Sequence, residues 1–290
     1  MKIAVIGGTG LVGTKLVNTL RHRGHEVVAA SRSLGVDTLT GEGLEQAITG
    51  ARVVIDVTNS PTMDGKSVMD FFGISGRNLL AIEEAMHVKH HVVLSVVGTD
   101  WLLNSAYFRA KTLQEDLVRR SSIPHTILRS TQFFDFLRRI PEPHLDGTAV
   151  RVSPAFVQPI AAEEVAAALA DLALAGPRND IVEHAGPEIF HLDDIVRRVM
   201  EAAGDPRTVI ADPRARYFGA ELANDSLIPD EGAIIGVTRF DEWLKHSASA
   251  LRTDRIGAMS SFFQVSSRRA GSQTGVPLPR EPRRVLSLNR

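Results

Sequence analysis

Cysteine is absent from the 290 residues. That excludes disulfides, thiolate metal ligation and a thiol nucleophile, so any redox chemistry must come from a bound cofactor. Long apolar runs are missing as well: nowhere do about 18 uncharged apolar residues follow one another, as a membrane-crossing helix would need. The opening MKIAVIGG starts directly with strand-like sequence instead of a basic region and an apolar signal core. A cytoplasmic protein with no membrane partner is expected. Aromatic residues are scarce at 6%, and only two of them are tyrosines. Excess charge is lacking too, since the formal net charge of −1 gives no general attraction to nucleic acid. The charge is nevertheless uneven: residues 251–290 hold eight arginines against Asp254 and Glu281, so the tail is about +6 and the body about −7.

At 43% hydrophobic, the chain can bury a large core. Its first half alternates short β-branched runs with longer amphipathic stretches, the pattern of βαβ units feeding a parallel sheet. Strands are expected at 2–7, 25–31, 52–58, 90–97 and 125–130, with a weaker one near 36–39. Helices are expected at 11–22, 42–49, 66–87 and 104–121. In the last of these Leu113, Leu117 and Val118 form the apolar side, while Gln114, Arg119 and Arg120 face elsewhere. Beyond residue 131 the pattern turns irregular and proline-rich, then gives a helix at 162–175, a strand at 180–184 and a helix at 192–203. The expected fold is α/β, a doubly wound parallel sheet with a smaller C-terminal α+β substrate lobe. Residues 1–131 form the dinucleotide-binding domain, 132–254 the smaller lobe interleaved with the sheet, and 255–290 a disordered basic tail rich in Arg, Ser, Gly and Pro.

The strand KIAVI runs straight into GGTGLVG, in which Gly7, Gly10 and Gly13 form G-x-x-G-x-x-G, with Leu11 and Val12 opening the helix. Glycines suit this place because the turn needs unusual dihedrals, the backbone must approach a pyrophosphate, and the helix must pack close to the strand. The helix N-terminus then offers N–H groups and a positive dipole end to the phosphates. The strand before, the helix after and a second strand on schedule raise this motif above a bare glycine pattern. That second strand ends in AASRS. An acidic residue there would hold the adenosine ribose hydroxyls, whereas arginine accommodates a 2′-phosphate. Ser31 and Arg32, with Ser33 beside them, therefore point to NADP(H) as the preferred cofactor, NAD(H) being the other nicotinamide cofactor the loop admits.

Ligands in such sheets collect at the carboxyl ends of the strands. Thr58 and Asn59 follow the 52–58 strand and are expected at the cofactor; Ser130, Thr131, Gln132 and Phe133 follow the 125–130 strand and are expected to flank nicotinamide and substrate. Phe134 and Phe136 read as core. Ser95 lies near the end of its strand, twelve residues before Tyr107, and Tyr107 and Lys111 stand four apart on one helix face. His87, His90 and His91 lack the carboxylate pattern of a metal site, and no metal is expected. The basic tail has little aromatic interleaving, so no nucleic-acid partner is expected either.

GGTGLVG, the NLL of GRNLLAIEEA at 78–80, LSVVG at 94–98, YFRAK at 107–111, ILRSTQFFDF at 127–136 and VQPIAAEEVA at 157–166 together resemble the short-chain dehydrogenase/reductase superfamily, in particular its extended and atypical NmrA-like branch. The resemblance covers residues 1–250 and implies a Rossmann fold. It also implies catalytic roles: Tyr107 as general acid/base, Lys111 binding the nicotinamide ribose and lowering the tyrosine pKa, Ser95 as hydrogen-bonding partner of the substrate oxygen, and Asn78 as the superfamily's helix asparagine. The function expected is hydride transfer between NADP(H) and a small organic carbonyl, quinone or similar acceptor, by a monomer or homodimer. Two alternatives stand beside it: an NADP(H)-binding redox sensor without turnover, since many NmrA-like members lack the tyrosine, and a sugar-nucleotide epimerase-like enzyme.

Overall fold

The structure is a computed structural model that describes residues 1–62, 65–140, 142–143 and 147–247. The expected tail at 255–290 lies outside the described residues. Met1–Ala248 forms one compact unit.

Five strands arise from the β-branched runs of the first half: β1 (Lys2–Ile6), β2 (Glu26–Ala30), β3 (Val53–Asp56), β4 (His90–Val96) and β5 (His125–Ser130). Between them run the helices α1 (Leu11–His22), α2 (Leu44–Ile48), α3 (Gly65–Ala85) and α4 (Ala106–Arg120). The second half supplies β6 (Glu142–Pro143), β7 (Ala149–Val152), β8 (Phe156–Val157), α5 (Ala162–Ala175), β9 (Ile181–Ala185), β10 (Phe190–His191), α6 (Leu192–Ala202), β11 (Thr208–Ala211) and β12 (Ile234–Ile235). Seven strands form one parallel sheet in the order β2-β1-β3-β4-β5-β9-β12. Two strands from beyond residue 131 thus complete the sheet. Also beyond residue 131, β6, β7 and β11 form one small sheet and β8 with β10 another.

Strand alternation divides the core in two. Ile3, Val5, Val53, Ile55, Val92 and Leu128 face α1 and the alanine-rich α5, whereas Ala4, Ile6, Val54, Val93 and Ile127 face the side covered by α2, α3 and α4. Gly73 and Gly76 bring α3 close to α4, because a Cβ at either would sit 3.2 Å from Leu113 or 3.1 Å from Leu117. Both faces of the parallel sheet are therefore covered, and its topology changes direction between β1 and β3, where a ligand crevice opens in such folds. The molecule has a Rossmann-like α/β fold. Among the described residues no helix is long and apolar enough to cross a membrane.

No strand forms near residues 36–39. Turn chemistry takes the segment instead: the Asp37 carboxylate accepts the Leu39 N–H at 2.8 Å, and the Asp37 carbonyl accepts the Gly41 N–H. Asn78 on α3 then fixes this turn by donating to the carbonyls of Thr38 and Leu39, both at 3.0 Å. A loop pinned this way lies beside the crevice instead of extending the sheet.

Candidate active site

A cleft of about 580 Å³ runs along the carboxyl ends of the strands. One end is the glycine loop. Gly7 adopts φ +85°, and a Cβ there would meet the Val57 carbonyl carbon and oxygen at 2.9 Å. Gly13 does not line the cleft; its role is behind the loop, where a Cβ would fall 2.1 Å from the Gly7 oxygen. The helix α1 that follows has no side-chain cap and no acidic residue in its first turn. Its positive end is left for an anion. Gly7, Gly10, Leu11 and Val12 face the cleft, and so do Thr58 and Asn59 after β3. The Thr58 hydroxyl is buried without a partner, as a group kept for a ligand would be. Ser31, Arg32 and Ser33 close the outer rim next to the pinned turn at 36–39, with the Ser31 and Ser33 hydroxyls 2.9 Å apart. A bare glycine cradle, an uncapped helix end and an unpartnered threonine fit a dinucleotide.

The other end is built from β4, β5 and α4. Ser95, Tyr107 and Lys111 all line it, as do Ser130, Thr131, Gln132 and Phe133. Thr131 Oγ1 and Gln132 Nε2 are buried without hydrogen-bond partners. The expected site residues therefore lie along a single cleft, except Gly13 and Asn78, whose side-chain amide is taken up by the carbonyls of Thr38 and Leu39.

Their internal bonds matter as much as their positions. Lys111 is 3% exposed. Its ammonium donates to the Leu94 carbonyl at 2.8 Å and to Gln114 Oε1, and stands 4.7 Å from the centre of the Phe72 ring. Burial lowers its pKa to about 8, while the carboxylates of Asp56 and Glu115 pull the other way. Gln114 passes the chain onward by donating to Asp56 Oδ2 at 2.8 Å, and Asp56 Oδ1 accepts the Thr58 N–H at 2.9 Å. Ser95 Oγ donates to Glu115 Oε1. Glu115 is also gripped by Arg129 on β5, through Nε at 3.0 Å and a terminal nitrogen at 2.6 Å, and the same guanidinium binds Asp100. The hydrogen bonds raise Arg129 further above its already high pKa despite burial.

Tyr107 has a different environment. Its ring packs edge-on against Phe72 and Phe108 and lies 5.6 Å from Phe218. Burial alone pushes its pKa up to about 12. Phe71, Phe136, Tyr217 and Phe218 complete this aromatic end. Phe136 is thus a wall of the cleft and not core as expected, whereas Phe134 is core.

Gln114, expected to face away from the sheet, is buried. Its helix turns Lys111, Gln114 and Glu115 inward together, so the polar stripe of α4 faces the strand ends. Sequence reasoning also missed Asp56, Arg129, Tyr217 and Phe218. The first two carried a signal, an acidic and a basic residue inside otherwise apolar strands. Tyr217 carried only its rarity.

His91 Nδ1 lies 2.9 Å from the Glu83 carboxylate and His90 Nε2 2.9 Å from Thr126 Oγ1. Among the described residues no cluster of three or more potential metal ligands forms.

Comparison with known proteins agrees with this geometry. A family model described as NAD(P)H-binding matches residues 7–175. The photosystem II assembly factor Ycf39 of Cyanophora paradoxa is 24% identical over 92% of this chain and 84% of its own. A short-chain dehydrogenase/reductase superfamily protein of Agrobacterium tumefaciens with bound NAD is 16% identical, with a TM-score of 0.64 over 90% of this chain and 100% of that one. The UDP-glucose 4-epimerase of Thermus thermophilus, in complex with NAD, is 18% identical, with a TM-score of 0.63 over 87% of this chain and 99% of that one. Glycine cradle, sheet topology and family model agree: the chain belongs to the NAD(P)H-binding family, on the fold that short-chain dehydrogenases/reductases and epimerases share.

Proposed function

We propose that the protein is an NADP(H)-dependent oxidoreductase acting on a small organic carbonyl, quinone or similar acceptor, with Tyr107 as its general acid/base. The observation that carries this reading is that Tyr107, Lys111 and Ser95 line the same cleft as the glycine loop. Bound there, the reduced nicotinamide supplies a hydride to the acceptor carbon. The residues that would hold the cofactor are Gly7, Gly10, Leu11, Val12, Thr58 and Asn59, with Ser31 and Arg32 at the adenosine ribose. Arg32 on the rim is what favours the 2′-phosphate over the plain ribose.

The chain's own part is proton supply and orientation. A phenol whose pKa is raised to about 12 carries its proton throughout the neutral range, as an acid for the reductive direction must. As the carbonyl π bond opens, the oxygen takes that proton and the phenol is recharged from solvent. Lys111 remains cationic below about pH 8, but burial alone sets the Tyr107 pKa, so the lowering of the tyrosine pKa expected from Lys111 is not found. Ser95 donates to Glu115, so polarising a substrate oxygen requires that bond to be exchanged. Thr131 and Gln132, with unpartnered buried polar atoms, are suited to contact nicotinamide or substrate.

One feature favours a second reading, NADP(H) binding without turnover: Lys111 and Ser95 both have protein partners already. Turnover separates the two. Steady NADPH oxidation is expected across a panel of quinones, aldehydes and ketones, faster than with NADH. It should fall by about 10²-fold or more in Tyr107→Phe with cofactor affinity retained. Cofactor binding with no oxidation on any panel member would favour the sensor.

A further inference from the structure

Tyr217 is one of two tyrosines in the chain, and nothing in the proposed proton transfer uses it. It is 2% exposed, lines the cleft, and its hydroxyl has no hydrogen-bond partner. A buried phenol without a partner costs free energy that nearby packing does not return. Burial pushes its pKa well above the usual value, and the neighbouring Tyr107 adds to the effect, so two neutral hydroxyls stand at the same end of the cleft.

The backbone around it is held at a cost as well. Tyr217 and Ala220 exchange N–H···O bonds of 2.7 and 3.0 Å across a two-residue turn in which Phe218 has φ 48° and Gly219 φ 85°. Glycine tolerates this; a phenylalanine in the left-handed region is strained. Tertiary contacts keep it there. Phe218 lies 4.6 Å from the Tyr217 ring, 5.6 Å from Tyr107 and 5.8 Å from Phe136, so the turn packs its rings into the aromatic wall of the cleft.

We propose that Tyr217, with Tyr107, Phe136 and Phe218, forms a subsite for a flat conjugated ring bearing an oxygen, and that the Tyr217 hydroxyl hydrogen-bonds that oxygen. Aromatic side chains lining a cleft favour a further planar ring in stacked or edge-on contact. A pyranose, with a hydroxyl on nearly every ring carbon, would leave most of them against carbon atoms. The subsite therefore separates this chain from the sugar-nucleotide enzymes that share its fold. This inference deepens the proposed function by naming the substrate class, yet it concerns binding, so its test needs no hydride transfer.

The probes are 2-naphthol and 2-methylnaphthalene, alike in shape but differing in the oxygen, titrated calorimetrically into the wild-type protein and Tyr217→Phe. The wild type is expected to prefer 2-naphthol, and Tyr217→Phe to lose about tenfold in affinity for it, with 2-methylnaphthalene unchanged. Phe218→Ala should weaken both probes. Thermal unfolding of free Tyr217→Phe should begin no lower than in the wild type, since the unpartnered hydroxyl is gone. Equal 2-naphthol affinity in wild type and Tyr217→Phe, displacement of 2-naphthol by glucose, or an earlier melt of Tyr217→Phe with unchanged probe affinity would each overturn the proposal. Probe binding without turnover would leave this subsite standing while the oxidoreductase reading failed.

Discussion

In the proposed reaction Lys111 binds the nicotinamide ribose, and its burial makes it sensitive to pH. Desolvation lowers its pKa to about 8, so it is cationic below that pH and neutral above it. A lysine that attracts the cofactor does so only while charged. NADPH affinity should accordingly be highest near pH 6 to 7 and fall as pH rises from about 8, with cofactor binding shifting the decline upward because it favours the charged form. Tyr107 does not contribute to the decline, since it keeps its proton to about 12. In Lys111→Met, nicotinamide fluorescence should report affinity about tenfold weaker near pH 7 and equal to the wild type above about pH 10. A wild-type profile that stays flat through that range would show that the ammonium does not bear on the cofactor.

At the scale of elements, α4 is held to β5 by a buried ion pair. Arg129 on β5 binds Glu115 on α4 through two hydrogen bonds, and Glu115 in turn accepts from Ser95 on β4. Removing one partner of such a pair leaves a charge buried without compensation, at about 3–5 kcal/mol. Arg129→Met should lower the denaturant unfolding free energy by that amount, and Arg129→Met with Glu115→Gln should recover part of it. A loss below about 1 kcal/mol for the single variant would mean that Glu115 escapes to solvent. The sequence disclosed α4 as a helix but not which side it buries. Leu113, Leu117 and Val118 fit the apolar stripe, and helical spacing alone cannot tell whether Lys111, Gln114 and Glu115 face water or strand ends. Only the strands bearing Asp56 and Arg129 decide that, by supplying partners across the core. The segment at 36–39 failed for a related reason: Asp37 and Asn78 offered its backbone turn bonds that a β-propensity reading does not weigh.

For the whole molecule, the cofactor half was the legible half. GGTGLVG announces itself because a phosphate-binding turn demands glycine where a side chain would collide with Val57 or Gly7. The substrate half has no such constraint. Its far wall comes from an irregular stretch containing Tyr217 and Phe218, which long-range folding returns to Tyr107, some 110 residues away in the chain. No local pattern encodes that return. In the proposed reaction the cofactor spans both halves, with its phosphates at the glycine loop and its nicotinamide beside Tyr107, where the hydride would pass directly to the acceptor carbon. The most direct measurement is deuterium transfer from NADPH carrying deuterium at both nicotinamide C4 positions, using 2-naphthaldehyde as acceptor and mass spectrometry of the alcohol product. Incorporation of one deuterium into the product, at the carbon that carries the new hydroxyl, with the rate reduced about 10²-fold or more in Tyr107→Phe, is the predicted result. NADPH bound at saturation with no deuterium in the alcohol, or equal transfer by wild type and Tyr107→Phe, would contradict it.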